Sequence, residues 1–123
     1  MTVQELYSGI GANYDAAKSI LMMDKMISKF IIKFLDDKSY ERLTSSWAAR
    51  DLTGTFEGAH AMKGVCANLG LSSLSAAASE LAEEFRPENA RKLSDDEVDA
   101  RIAAIREQYD RSIEGIRAFA AQQ

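Results

Sequence analysis

Hydrophobic side chains recur every three or four positions along most of this chain, which is the spacing of one face of an α-helix. Between residues 13 and 37 the repeat consists of Ile20, Met23, Ile27, Phe30, Ile31 and Phe34. It predicts an amphipathic helix interrupted near Met22, with core positions for three methionines, Met22, Met23 and Met26. The preceding stretch TVQELYSG predicts a short helix that Thr2 and Glu5 cap together and that ends at Gly9.

The same spacing predicts four further helices, and the last of them holds one apolar face for about six turns. Capping and helix-breaking residues mark their boundaries, namely Ser39, Asp51, Gly70, Pro87 and Ser94. Short connections between long amphipathic helices favour antiparallel packing. We therefore expect an all-α fold, an up-and-down four-helix bundle with a short N-terminal helix and a long C-terminal helix.

Composition agrees with a single domain over residues 1–123. Hydrophobic residues make up 46% and charged residues 28%, which is normal for a chain that folds by itself. The net charge of −4 provides no basic surface for nucleic acid, and the longest apolar run, FIIKFL, is too short to span a membrane. The lone Cys66 has no partner for an internal disulfide, and the N-terminal stretch lacks a secretory signal, so we expect a cytoplasmic protein.

The chain has one histidine, His60, within the stretch GAHAMKGVCANLG. A lone histidine in a helix is most often a core or boundary residue. On a helical wheel drawn from Phe56, however, the core arc lies between about 180° and 300° and holds Ala59, Met62 and Cys66, whereas His60 lies at about 40°. The wheel therefore predicts an outward imidazole on the face opposite the core.

Two neighbours of His60 suggest what its ring would meet. Lys63 lies one turn later, where its ammonium can bind an anion attached to His60. Gly64 lacks the side chain that would obstruct that anion, and glycine costs about 1 kcal/mol relative to alanine inside a helix. Gly58 and Gly64 both flank the histidine, which indicates a functional or close-packing reason for them. A phosphoryl group fits these positions.

The segment Ala59–Gly70 resembles the signature of histidine-containing phosphotransfer (HPt) domains of two-component phosphorelays. In that signature an Ala-His pair is followed by a Lys-Gly pair and then by a hydrophobic-Gly pair, and the matching residues here are His60, Lys63, Gly64, Leu69 and Gly70. The resemblance covers about residues 13–86. Met62 and Cys66 are mild departures from the usual residues.

The resemblance implies that His60 accepts a phosphoryl group from a receiver-domain aspartate and passes it to another, while Lys63 stabilises the phosphate. Gly64, because it lacks a side chain, would give steric access. The partners would be response-regulator receiver domains, including that of a hybrid histidine kinase. The chain would be a phosphocarrier without ATP-dependent kinase activity, with no cofactor or metal of its own and with Mg²⁺ on the partner. We expect a monomer, although the apolar repeat of the long final helix is also compatible with a dimer interface.

A partner needs a surface around the nucleophile, and Phe56, Ala61 and Ala67 are the candidate docking residues. Glu57 is a further docking candidate, and its carboxylate is also placed to hold the second ring nitrogen of His60. The alternative function is a helical docking module that binds a receiver domain without phosphotransfer. A stand-alone enzyme is disfavoured because Ser72 and Ser73 have no second histidine as base, and because one histidine and one cysteine make no metal cluster.

Overall fold

In the computed structural model, which describes residues 1–123, the chain forms seven α-helices, one 3₁₀ turn and no strand. The helices are α1 (Val3–Ile10), α2 (Tyr14–Leu21), α3 (Asp24–Lys33), α4 (Ser39–Ala48), α5 (Leu52–Asn68), α6 (Ser72–Phe85) and α7 (Asp95–Ala120), and the 3₁₀ turn Phe34–Asp36 follows α3. The all-α prediction is confirmed. None of the helices combines the length and the hydropathy needed to cross a membrane.

Helices α4 to α7 form the bundle. The links between α4 and α5 and between α5 and α6 are three residues long, so these neighbours turn back on each other. Helix α7 closes the bundle against α4: the indole Nε1 of Trp47 donates to the Asp99 carboxylate at 2.7 Å, and Tyr40 stacks on Tyr109 with ring centroids 3.9 Å apart. These two contacts occur in opposite order along the two helices, as antiparallel packing requires.

The three N-terminal helices cover one end of this bundle. Tyr7 of α1 is fully buried, and its hydroxyl donates to the carbonyl oxygen of Leu69 at 2.7 Å, just after α5 ends. Burial raises the pKa of Tyr7, because the phenolate would lose its hydration. All 25 buried hydrophobic residues belong to one cluster, so the N-terminal helices share the core of the bundle.

Most helix boundaries are those that the sequence predicts. Thr2 and Glu5 form the capping box of α1, and Asp51 caps α5 by accepting from the backbone N–H of Gly54 at 3.0 Å. Gly70 follows α5 with φ of 71°, a left-handed conformation that favours glycine. In the same way, Ser94 and Glu97 form the capping box of α7, and α6 ends at Phe85, before Pro87.

Two predicted boundaries are wrong. Helix α1 does not end at Gly9 but runs to Ile10, and Gly11 takes the left-handed position with φ of 70°. Ser39 is the first residue of α4 and does not cap it. The carboxylate of Asp37 accepts from the backbone N–H of Ser39 at 3.0 Å and from its hydroxyl, so an acidic side chain two residues earlier satisfies the helix end.

The methionine prediction is only half right. The helical pattern is interrupted at Met22, as predicted, but the side chains of Met22 and Met23 are 70% and 55% exposed rather than in the core. Met22 has φ of 74°, and the backbone N–H of Met23 donates to the carbonyl oxygen of Leu21 at 2.8 Å. This three-residue turn separates α2 from α3 and directs both side chains outward.

Candidate functional site

His60 lies in the middle of α5, and its side chain is exposed. The ring stacks against Phe56, one turn earlier, with centroids 5.7 Å apart and planes inclined by 23°. It forms no hydrogen bond with any other group of the chain, so both ring nitrogens remain open to an incoming group. Phe56 is half-buried and supports one side of the ring.

The opposite face of α5 anchors the helix in the core. Ala59, Met62 and Cys66 are completely buried, as the helical wheel predicts. Cys66 is a free thiol, and burial raises its pKa to about 12, with the nearby negative charge of Asp37 adding to the effect. The thiolate is therefore disfavoured in the folded chain, which leaves the imidazole as the exposed nucleophile of this helix.

This burial makes Cys66 inert as long as the chain is folded. Iodoacetamide reacts with thiolates, so at mildly alkaline pH we expect almost no modification of the native chain and rapid modification in guanidinium chloride. Mass spectrometry of the intact chain measures both reactions. Complete modification of the native chain on the timescale of the denatured control would contradict the burial of Cys66.

Lys63 lies one turn after His60 on the side of α5 that faces α6. Its backbone carbonyl accepts a hydrogen bond from the Ser75 hydroxyl at 2.9 Å, which ties this turn to α6. Its ammonium forms no ion pair in the structure and is thus available to an external anion. On α6, the hydrogen bond from Arg86 lowers the pKa of Glu83, and the charge of Lys63 contributes to the same effect.

Arg86 extends the positive charge on this side of His60. Its guanidinium pairs with Glu83 at 2.7 Å and lies over the Phe56 ring, 5.5 Å from the ring centroid. Sequence reasoning missed Arg86, because it follows α6 and reaches α5 only through the antiparallel pairing of the two helices. That pairing places the end of α6 beside the start of α5. Knowing its register would have allowed Arg86 to be predicted at this site.

The glycines around His60 have different surroundings. A Cβ atom at Gly58 would lie 2.5 Å from the backbone nitrogen and 2.7 Å from the Cα of Leu43, so Gly58 allows α4 and α5 to approach closely. A Cβ atom at Gly64 would meet nothing within 4 Å. Gly58 therefore has a packing role, whereas packing gives no reason for a glycine at Gly64, next to the open side of His60.

The other predicted site residues surround His60 on the exposed face. Ala61, next to His60 in the chain, and Ala67, two turns further along α5, are exposed and add no bulky side chain to this face. Glu57 is exposed too, but its carboxylate pairs with Arg42 of α4 at 2.8 Å and makes no hydrogen bond with His60. The structure therefore does not bring Glu57 to the second ring nitrogen, which was one of its two predicted roles.

A groove of about 680 Å³ lies beside this face, between the α2–α3 segment and the C-terminal half of α5. Its apolar lining consists of Ile20, Leu21, Phe30, Phe34, Val65 and Leu69. Ile20 is itself 50% exposed and precedes the exposed Met22 and Met23. Because the sequence pattern predicts Ile20, Met22 and Met23 as core residues, this exposed apolar surface was not predicted; the interruption at Met22 was the signal available.

This arrangement presents a nucleophile without a pocket of its own. The imidazole has an open flank and a free ammonium one turn away, but no general acid or base of the chain bonds to it. No group of three or more His, Cys, Asp or Glu side chains is arranged to hold a metal ion. Such a site can receive a group that another protein delivers together with the remaining catalytic residues.

Comparison with protein families matched residues 32–117 to the family described as Hpt domain. The match contains His60 and its surroundings and all of α4, α5 and α6. It also extends through most of α7, where the sequence resemblance is less distinctive. Comparisons with curated proteins and with solved structures gave no match.

Proposed function

This chain belongs to the Hpt domain family, and from that premise we propose that it is a phosphorelay intermediate in which His60 carries the phosphoryl group. Membership of the family implies phosphotransfer in two-component signalling and interaction with receiver domains. The proposed donor is a receiver-domain phosphoaspartate, and the acceptor is the aspartate of another receiver domain. The supporting observation is the exposed, unbonded ring of His60 with the unpaired ammonium of Lys63 one turn away.

The proposed transfer needs only one reactive group from this chain. The unprotonated ring nitrogen of His60 attacks the phosphorus in line, so that a P–N bond forms as the P–O bond to aspartate breaks. The aspartate leaves as a carboxylate with the electron pair of the broken bond, and the other ring nitrogen keeps its proton. The reverse reaction on a second aspartate completes the relay. The proposed Mg²⁺ belongs to the receiver domain, and this chain supplies no cofactor.

We place the receiver domain over the exposed face of α5 and the adjoining apolar groove. His60, Gly64 and Asn68 follow each other at intervals of four along α5, and Asn68 also lines the groove. Phe56, Ala61 and Ala67 would form the surface next to the ring, and Met22 and Met23 its outer edge. Burial of these apolar side chains by the partner would exclude water from the phosphoryl group.

The experiment that tests this proposal incubates the full chain with a receiver domain carrying labelled phosphoaspartate. Transfer of label to this chain is expected, and the bound label should be labile in acid and stable in alkali, as a phosphoramidate is. A second, unlabelled receiver domain should then remove it. Absence of such label with every receiver domain of the host would contradict the proposal.

The second candidate function is a docking module without phosphotransfer. The observations that favour it are the exposed methionines and the apolar groove, which would serve docking whether or not transfer occurs. Measuring receiver binding by calorimetry in parallel with label transfer separates the two functions. Binding without any acid-labile label would support the module. For both candidate functions we propose a monomer without kinase activity in the cytoplasm, where a free cysteine such as Cys66 is the normal state.

Lys63 supplies the charge that we expect to accelerate the transfer. In Lys63→Ala the phosphoryl oxygens lose one charge-assisted hydrogen bond, so single-turnover transfer should slow by about tenfold, while Lys63→Arg keeps most of the rate. Lys92→Ala is the matched control, because Lys92 lies in the α6–α7 loop and its side chain forms no ion pair. Equal transfer rates for Lys63→Ala and Lys92→Ala would show that Lys63 does not stabilise the transferred phosphoryl group.

A further inference from the structure

A polar cavity lies where α1, α6 and α7 meet, at the end of the bundle that the N-terminal helices cover. It has a volume of about 200 Å³, and its walls come from the end of α1, the start of α6 and the middle of α7. Its polar side chains are Ser72, Ser73, Gln108, Arg111 and Ser112. None of the residues of the His60 face lines this cavity, so its chemistry is separate from the proposed relay.

The start of α6 contributes backbone donors to this cavity. The residue before the helix is Leu71, whose side chain cannot accept a hydrogen bond, so α6 has no side-chain cap. The backbone N–H groups of Ser72, Ser73 and Leu74 find no acceptor in the chain. An uncapped helix N-terminus presents these donors together with the positive end of the helix dipole, which favours a bound anion.

Ser112 gives an independent indication of a ligand. The residue is 95% buried, since only 5% of it is exposed, yet its hydroxyl forms no hydrogen bond within the chain. Every fully enclosed polar side-chain atom of the protein has a partner. The Ser112 hydroxyl must therefore face open space, and the space that Ser112 lines is this cavity. The hydroxyl therefore takes its hydrogen-bond partner from whatever occupies the cavity, either water or a bound ligand.

Arg111 places a positive charge at the same cavity. It is exposed and forms no ion pair, although Glu107 and Glu114 lie one turn away on either side of it. No Asp or Glu lines the cavity. The surroundings thus offer N–H, O–H and guanidinium donors around a space without a competing carboxylate.

We propose that this cavity binds a small tetrahedral oxyanion, either inorganic phosphate or the phosphate group of a small organic ester. Three converging backbone N–H groups match several oxygens of one phosphate, and the guanidinium of Arg111 can bond two of them at once. The Ser112 hydroxyl completes the set from the opposite wall. A planar carboxylate has only two oxygens and leaves part of this donor set unused.

The test is a phosphate titration of the ¹⁵N-labelled full chain at constant ionic strength, with chloride as the reference anion. We expect the amide signals of Ser72, Ser73 and Leu74 to shift along one saturating curve. In Arg111→Gln the affinity should fall by about tenfold or more, because a charged donor is lost. The matched control is Arg117→Gln, since Arg117 is exposed on the same helix, forms no ion pair and does not line the cavity.

A second variant and two further anions sharpen the result. Ser112→Ala should weaken phosphate binding by a few-fold without altering the fold, because a small buried side chain is replaced by a smaller one. Tighter binding of glycerol phosphate than of inorganic phosphate would identify an organic ester as the ligand, and the reverse order the free ion. The proposal is overturned if the shifts do not saturate, if Arg111→Gln and Arg117→Gln behave alike, or if acetate binds as tightly as phosphate.

Discussion

Replacing His60 with glutamine should leave this chain unable to take any acid-labile phosphate from a phosphorylated receiver domain. Glutamine retains the polarity and much of the size of histidine, but its amide nitrogen has no lone pair available for attack on phosphorus. The loss should therefore be complete rather than partial. Because His60 is exposed, forms no hydrogen bond and stacks on no aromatic ring other than Phe56, the free energy of unfolding should change by less than about 0.5 kcal/mol.

Two measurements make this prediction decisive. Receiver binding by His60→Gln should remain within a few-fold of the original chain, which would show that chemistry and not docking is lost. Lys92→Ala is again the control: Lys92 lies in the α6–α7 loop, outside the proposed site, so transfer should continue at nearly the original rate. Label that persists in His60→Gln would place the phosphoacceptor elsewhere and end the proposal.

The prediction of α5 from sequence succeeded because the helix has one strongly apolar face. Spacing alone separates the buried Ala59, Met62 and Cys66 from the exposed His60, and this needs no knowledge of neighbouring helices. The exposure of Ala61 and Ala67 follows from the same geometry. Helical spacing does not identify the group that His60 binds. The phosphoryl group was inferred mainly from the resemblance to the HPt family.

Features that depend on contacts between elements were beyond the sequence. Arg86 approaches Phe56 only because α6 returns antiparallel to α5 in one particular register. Met22 and Met23 have the spacing of core residues, but the turn at Met22 rotates them out of the pattern that a continuous helix would maintain. At the start of α4, the Asp37 carboxylate accepts from the first backbone N–H of the helix and Ser39 does not cap it, because several polar residues there can make such a bond and local geometry decides among them.

The two glycines that flank His60 should respond in opposite directions to the same substitution. In Gly58→Ala the new methyl group would lie 2.5 Å from the backbone nitrogen of Leu43, and because backbone atoms cannot rotate away, α4 and α5 must separate. Overpacking of this kind should lower the free energy of unfolding by about 2 kcal/mol, roughly a thirtyfold change in the folding equilibrium. In Gly64→Ala the methyl group meets open space, so the gain in helix propensity should raise the free energy of unfolding by about 1 kcal/mol.

The two variants should rank in the opposite order for phosphotransfer: Gly64→Ala, the more stable one, should transfer more slowly than Gly58→Ala. Measuring both stability and transfer rate therefore tests the role of Gly64. Gly64→Ala places a methyl group one turn from His60, where the phosphoryl oxygens must pass, so the more stable variant should be the slower carrier. Gly58→Ala should transfer at nearly the original rate at a temperature where it is folded. Urea unfolding and single-turnover transfer on the same samples give both quantities. If Gly64→Ala is more stable and equally fast, Gly64 has no role in access to His60, and the open flank of the ring has another cause.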